Sequence, residues 1–291
     1  MQQYSVLMPV YHKEDAGYFR TSIESMINQS IPTDDFVIVC DGPLTAELNA
    51  VIRDYTRQYP ELFHIVRMKK NRGLGIALQE GISACKHELV ARMDSDDISA
   101  PDRCERQLAV FAAYPYAIVG GNVEEFTEFP AGFSQMQQSE SPQAATLGNP
   151  AKSAPVRKVP ETNEKIRAFA KRRNPFNHPS VMFVKSAVQK AGGYLDCKGF
   201  EDYYLWVRML GRGMQGYNIQ RTLVYMRTDA GMYERRGSLS YAWQGFLARW
   251  KIHKTGYSGL LDFAVSAGGQ VIMSLIPVRL RTCFYSKFLR K

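Results

Sequence analysis

Two periodicities alternate across the first half of this chain, and that alternation constrains its fold more than any other feature. Short apolar runs at Tyr4 to Pro9, Phe36 to Cys40, Phe63 to Met68, Glu88 to Met93 and Ala117 to Val123 have the length of buried strands. Between them apolar residues recur at helical spacing: Phe19, Ile23, Met26 and Ile27, then Leu48, Val51, Ile52 and Tyr55, then Leu74, Ala77, Leu78 and Ile82. A fourth helix is predicted from Pro101 to Ala113, opened by a capping-box-like Ser99 and Asp102. Strands and helices in turn predict an α/β fold with a mostly parallel central sheet flanked by helices. Sheets of that kind collect ligands outside the carboxyl ends of their strands.

With 291 residues and 45% hydrophobic content, the chain can bury one large core, or one core with an appended subdomain. Residues 130–160 are rich in Gln, Ser, Ala and Pro without periodicity and read as a long loop. Order resumes with a helix from Thr162 to about Arg172, a strand at Val181 to Val184, and a helix from Glu201 or Tyr203 to Leu210.

The five cysteines, Cys40, Cys85, Cys104, Cys197 and Cys283, show no CxxC or zinc-like spacing and read as reduced thiols of a cytosolic protein. The opening MQQYSVLMPV enters a strand without the pattern of a secretory signal. Net charge is +9, and the residues from Arg235 to Lys291 hold the whole excess: ten Lys or Arg against Asp262 alone. Such a block could meet nucleic acid or an anionic membrane. The stretch from Gly259 to Val278 is largely apolar and sets Asp262, Ser266, Gln270 and Ser274 four residues apart, near one helical face. It passes at Pro277 into RLRTCFYSKFLRK. Apolar surface followed by aromatics among basic residues fits an interfacial membrane element better than a nucleic-acid patch. The alternative is a helix packed on the body of the protein, and Gly268-Gly269 weakens the helix itself. A full transmembrane span is disfavoured by the short length and by Asp262.

Four polar elements fall at strand ends: Pro9-Val10-Tyr11-His12, Asp41-Gly42, Asn71-Arg72-Gly73, and the cluster Asp94, Ser95, Asp96, Asp97. Each has a simple structural explanation, since Asp41-Gly42 suits a turn and Asn71 a helix cap. In a parallel sheet, however, all four would meet on one rim. Three carboxylates that close together repel one another and resist burial, which favours a hard cation and an anionic ligand beside them. No GxGxxG follows the first strand, and no GxxxxGK[ST], GxSxG or HExxH occurs. Dinucleotide, P-loop, serine-hydrolase and zincin readings therefore lose their main support.

Taken in order, SVLMPVYHKED, the strand ending in Asp41, KNRGLGIALQEGI, ARMDSDD, RNPFNHPSVMF and GFEDYYLWVRM resemble the family 2 glycosyltransferases. These are inverting enzymes of the GT-A fold that use nucleotide-sugar donors. The likeness spans roughly residues 4 to 228 and is nearest to bacterial enzymes of capsule, O-antigen and exopolysaccharide synthesis, including amylovoran-type transferases. It implies a glycosyltransferase domain at 1–230, with a nucleotide-binding half at 1–125, the long loop at 126–160 and a catalytic half at 161–230. Residues 231–291 would form a basic, helical, membrane-associating extension.

The resemblance further implies that Asp41 reads the uracil of a UDP-sugar, with Pro9, Val10 and Tyr11 lining the base pocket and Asn71, Gly73 and Ser95 close to the donor. Asp94 would contact ribose and assist a Mg2+ or Mn2+ ion, which Asp96 would ligate against the diphosphate with Asp97 alongside. Glu201-Asp202 occupies the family's catalytic acidic pair, with Asp202 as general base; read without the family, these acids suit a helix N-terminus. Asn177 and His178, on a proline-bracketed loop, would contact substrate, or serve structure alone. Trp206 fits the core at helical spacing with Leu210. The implied acceptor is an undecaprenyl-diphosphate-linked saccharide at the cytoplasmic face of the membrane. Two features depart from the family pattern: Cys40-Asp41-Gly42-Pro43 lacks the second acid and Ser common in relatives, and the loop near 131–155 is longer than usual. The rival readings are a sugar nucleotidyltransferase, disfavoured because PVYHKEDAGYFR is not a Gly-rich, Arg- and Lys-bearing loop, and a non-catalytic sugar-nucleotide- or membrane-binding protein.

Overall fold

The computed structural model describes residues 2–127, 155–228 and 238–276. Among them, β1 (Tyr4–Val10), β2 (Phe36–Cys40), β3 (Phe63–Arg67) and β4 (Leu89–Arg92) alternate with α1 (Ala16–Ile27), α2 (Ala46–Gln58) and α3 (Leu74–Ala84). Then come β5 (Ile98–Ser99), α4 (Arg103–Ala113), β6 (Ile118–Phe126), β7 (Val156–Arg157), α5 (Asn163–Phe169), β8 (Met182–Val184), α6 (Lys185–Lys190), α7 (Glu201–Gly211) and β9 (Gly216–Arg227). Two helices, α8 (Leu239–Lys254) and α9 (Leu260–Leu275), follow.

One sheet runs β3-β2-β1-β4-β8-β6-β9-β5, with β7 paired to β6. The parallel arrangement read from the sequence holds across β3, β2, β1 and β4. Beyond β4 the sheet is mixed: β8 runs antiparallel to both β4 and β6, β6 and β9 are parallel, and β5 is antiparallel to β9. Parallel neighbours need a crossover of a dozen or more residues, and β6 reaches its parallel neighbour β9 only after β7, α5, β8, α6 and α7.

Alternate side chains of β1 serve two cores. Leu7 packs with Val39, Leu78 and Phe183 on the α3 and α7 face, while Val6 and Met8 pack with Phe19, Ile23 and Leu48 on the α1 and α2 face. The order of β1, β2 and β4 places a topological switch between β1 and β4, the position at which open α/β sheets bind their ligands.

The helix over Arg103–Ala113 is present, but the expected cap is not. Asp102 makes no side-chain cap bond and pairs with Arg106. Ser99 lies in β5, where its hydroxyl accepts from Gln29 Nε2 at 3.2 Å. Gln29 Oε1 meanwhile accepts the N–H of Cys104 at 3.0 Å, so a distant amide performs the capping. The long-loop expectation for residues 130–160 lies mostly outside the described residues, and at its end β7 pairs Arg157 with Val123. Cys40, Cys85, Cys104 and Cys197 are buried free thiols; Cys283 and the basic run after Ile276 lie outside the described residues.

The segment from Gly259 is helical through Gly268-Gly269 and packs on the body. Phe263 inserts among Phe246, Trp250 and His253 of α8, and Asp262 pairs with Arg172 at 2.6 Å. Among the described residues no helix is long and apolar enough to cross a membrane.

Candidate active site

At the carboxyl ends of β2 and β3, Asp41 is almost fully buried. Its oxygens accept the N–H groups of Arg72 at 2.7 Å and Gly73 at 2.9 Å, so the carboxylate ties the Asn71-Arg72-Gly73 loop to β2. Gly42 permits that approach: its φ is +88°, and a Cβ there would stand 2.6 Å from the Asn71 nitrogen. Gly73, at φ +90°, opens α3. Pro9 and Val10 are buried in the sheet, whereas Tyr11 stands 42% exposed at its edge, set edge-on to His12. Of the three residues expected to line a base pocket, only Tyr11 offers an open side chain.

The acidic cluster follows β4 directly. Arg92, 1% exposed, grips Asp94 with two guanidinium nitrogens, and Ser22 Oγ donates to the Asp94 carbonyl at 2.6 Å. Ser95 donates to Glu14 Oε2 at 2.7 Å, which brings a fourth carboxylate to the cluster. Burial, then the charges of Asp94 and Glu14, push the Asp96 carboxyl up to about 7. Burial likewise raises Glu14. Asp97, 2% exposed, accepts the Arg227 N–H at 2.8 Å through one oxygen, while its Oδ2 is buried without a partner. Burial and the charges of Asp96 and Asp94 raise it well above the ordinary range. The Arg227 guanidinium lies 3.6 Å from the Tyr18 ring centroid and 4.6 Å from that of Phe126, and its Nε donates to the Asp96 carbonyl. The pairing of β5 with β9, Ile98 against Tyr225, is what delivers Arg227 to this loop.

The second acidic pair opens α7. Asp202 Oδ2 accepts from Asn174 Nδ2 at 2.6 Å. Burial raises its pKa, against the lowering effects of the Tyr203 N–H, Asn174, Arg157 and Arg92. Glu201 is raised by burial and then by the Asp202 charge, and its Oε2 is buried without a partner. A Cβ on Gly75, in the first turn of α3, would lie 3.3 Å from Glu201 Cβ. The Gly73 loop and the α7 acids therefore share one wall. Arg92 acts electrostatically on Asp96 and Asp97 as well as on Glu201 and Asp202, so the two acidic groups face a common cation.

Asn177 and His178 are turned inward. The Asn177 amide donates to the carbonyls of Gly121 and Arg157, each at 2.9 Å, and the residue is fully buried. His178 Nε2 bonds Tyr194 Oη at 2.9 Å, and its ring stands edge-on to the buried Trp206. Burial holds the imidazole well below its ordinary pKa, leaving it neutral. The proline-bracketed loop thus lies at the junction of β6, β8 and α7, with both side chains bonded to protein groups. Trp206 is core, as its spacing with Leu210 predicted.

Arg92, Glu14 and Arg227 also touch the acidic cluster, although no motif assigns them a role. Arg92 carried a signal, being a guanidinium within the apolar run LVARM at strand spacing from Asp94. Glu14 and Arg227 carried none, because their partners lie 81 and 130 residues away.

Among the described residues no three His, Cys, Asp or Glu side chains form a group able to hold a metal by themselves. The donor set nonetheless fits a hard cation of the kind that takes one or two carboxylates and completes its shell with phosphate and water. Asp96 with its elevated pKa and the unpartnered Asp97 Oδ2 are the atoms that a cation would relieve.

Two groups of acids thus stand at the strand ends of this sheet, one after β4 and one at the start of α7. Residues 5–187 match the family described as Glycosyl transferase family 2; the chain belongs to that family and is a glycosyltransferase. It is 34% identical over 99% of its length, and 97% of the relative's, to an Escherichia coli UDP-Gal:alpha-D-GlcNAc-diphosphoundecaprenol beta-1,3-galactosyltransferase. An amylovoran biosynthesis glycosyltransferase from Erwinia amylovora is 31% identical over 98% of each chain. The fold is also that of a mannosyltransferase from Pyrobaculum calidifontis solved with GDP-Man and Mn2+, at TM-score 0.61 and 15% identity over 98% of this chain and 84% of that one. Family membership removes the nucleotidyltransferase reading.

Proposed function

We propose that the chain is an inverting transferase that moves a hexosyl unit from a UDP-sugar to an undecaprenyl-diphosphate-linked saccharide, at the cytoplasmic face of the membrane with which it associates peripherally. Residues 1–230 form the catalytic domain in this reading, and 231–291 the membrane-facing extension. The observation that carries it is Asp202, a partly buried carboxylate oriented by Asn174 and sharing the influence of Arg92 with a second acidic cluster suited to a cation. The named activity of the E. coli relative supplies the donor and acceptor classes.

The uracil ring rests against Tyr11 near Asp41, and the diphosphate lies over the loop of Asp94, Ser95 and Asp96. Asp96 and Asp94 would hold Mg2+ or Mn2+, which when bound neutralises charge on the departing diphosphate. Asp202 accepts the proton of the acceptor hydroxyl as its oxygen forms a bond to the anomeric carbon from the face opposite UDP. The carbon–phosphate-oxygen bond breaks in the same step, UDP leaves with the electron pair, and the anomeric configuration inverts.

A panel of UDP-sugars, UDP-galactose first, with Mn2+ and a GlcNAc-diphospholipid acceptor tests this by UDP release and product mass. Asp202→Asn should retain donor binding while losing roughly 10²- to 10⁴-fold in turnover, and Asp96→Ala should lose donor binding. No turnover of any UDP-sugar by the wild type would overturn the proposal.

A further inference from the structure

Helix α9 turns Phe263 and Ala267 inward but leaves much of its apolar surface outside. A surface helix ordinarily turns its apolar stripe to the core, yet here the row Asp262, Ser266, Gln270 and Ser274 faces the protein. Asp262 accepts from Arg172 at 2.6 Å, Gln270 accepts from Arg249 at 3.0 Å, and Ser274 is 3% exposed. The opposite row is Leu261, Val265, Ile272 and Leu275, all at least half exposed, and a Cβ at Gly268, between them, would meet nothing. Helix α8 repeats the pattern more mildly. Its small residues Ala242, Gly245 and Ala248 turn inward, while Leu239, Trp243, Leu247 and Trp250 are exposed. Gly245 is required there because a Cβ would strike Gln270. Adjacent apolar rows of this extent mark a contact surface.

Charge selects the occupant. The residues from Arg235 carry a net +9, and their sole acid, Asp262, is already paired with Arg172. A second copy would bring +9 against +9, whereas an anionic bilayer is complementary. Lys251 and Lys254 stand in the last turn of α8, and residues 277–291 add five Lys or Arg and no acid. Exposed tryptophans suit the headgroup level. At 16 residues α9 is too short to span the hydrocarbon, which leaves a helix that lies in the interface.

We infer that the α8–α9 hairpin is a monotopic anchor whose outward apolar rows sit in the interface of an anionic phospholipid bilayer. The inference deepens the proposed function, on which its purpose rests. Ala248 of α8 packs on Cys197 and Phe200, just before the α7 acids, and Lys251 donates to the Asp196 carbonyl at 2.6 Å. A bilayer on the hairpin would therefore adjoin the Glu201-Asp202 end of the site and offer a lipid-linked diphosphate to it from the headgroup layer.

The test is flotation of the full chain with phosphatidylcholine vesicles, with and without phosphatidylglycerol, in the absence of donor and acceptor. Wild type should float with the anionic vesicles, and brominated lipid should quench its tryptophan emission, a loss reduced by Trp243→Phe. The double variant Leu261→Asp/Ile272→Asp, which alters only exposed positions, should bind about tenfold or more weakly while keeping its melting temperature and its turnover of a short-chain soluble acceptor. Equal flotation of variant and wild type, or no binding to anionic vesicles, overturns the inference. A wild-type dimer that the variant converts to monomer, without vesicle binding, assigns the face to a second copy and also overturns it. Because binding is read without substrates, failed transfer leaves the anchor standing, and failed flotation leaves the transfer chemistry standing.

Discussion

Replacing Asp96 by Asn should stabilise the ligand-free protein, and by an amount that grows with pH. In the folded chain the Asp96 carboxyl titrates near 7 rather than at the ordinary 3.8, because burial and the charges of Asp94 and Glu14 disfavour its ionised form. Between those values the unfolded chain has released this proton and the folded chain still holds it. Stability relative to an unperturbed carboxyl is therefore fully present below pH 4, falls through the window from about 4 to 7, and is lost above it. The difference amounts to about 4 kcal/mol at pH 8 and less than about 2 kcal/mol at pH 5. At about 2 °C per kcal/mol for a chain of this size, Asp96→Asn should melt roughly 8 °C above wild type at pH 8 in EDTA, with the gap narrowing sharply by pH 5. Adding Mn2+ and UDP should close the gap by raising wild type alone, since a cation relieves the carboxylate that the amide has already removed. Differential scanning fluorimetry at the two pH values reads all of this. A variant that melts with or below wild type at pH 8 in EDTA would refute the reasoning.

Three further outcomes follow from the same geometry. Asn174→Ala removes a hydrogen bond that lowers the Asp202 pKa; the acidic limb of the pH–rate profile should move to higher pH, because the base must be ionised to work. Gly42→Ala must adopt φ near +88° and place a methyl 2.6 Å from the Asn71 nitrogen; it should cost more than about 1 kcal/mol and lower the melting temperature. Asn177→Ala leaves the Gly121 and Arg157 carbonyls without the amide and should cost about 1–3 kcal/mol. Its donor KM should stay unchanged, whereas a rise in KM at unchanged stability would return Asn177 to the sugar site.

Periodicity carried the four parallel strands and their helices, because strands of four to seven residues repeat a pattern long enough to read. It carried β8 as well, expected at Val181 to Val184 and found at Met182–Val184, but not β5 or β7, whose two residues each hold no repeat. The row from Asp262 to Ser274 was legible as one face of a helix. Which way that face points was not, since the direction depends on Arg172 and Arg249 reaching from other elements. The site divides in the same manner. Asp41, Asp96 and Asp202 stand out by residue type and by order along the chain; Asp41 is buried and the other two are partly buried at strand and helix ends. Asn177 and His178 stand out by type alone, and their partners, two carbonyls and a tyrosine, belong to the interior.

Arg92 shows what a sequence pattern can reveal when it is broken. A guanidinium in a strand of Leu, Val and Ala opposes the burial preference of its neighbours, and removing it from water is costly unless it is paired. Asp94 supplies a bidentate partner, while the Arg92 Nε is left buried without one. Arg92 therefore adds little to the core that an aliphatic residue would not add. What it does add is field: it opposes the burial that raises Asp96 and Asp97 on one side and Glu201 and Asp202 on the other. The residue that fits its strand least thus lies within electrostatic reach of both acidic groups, as the smallest of the influences on each.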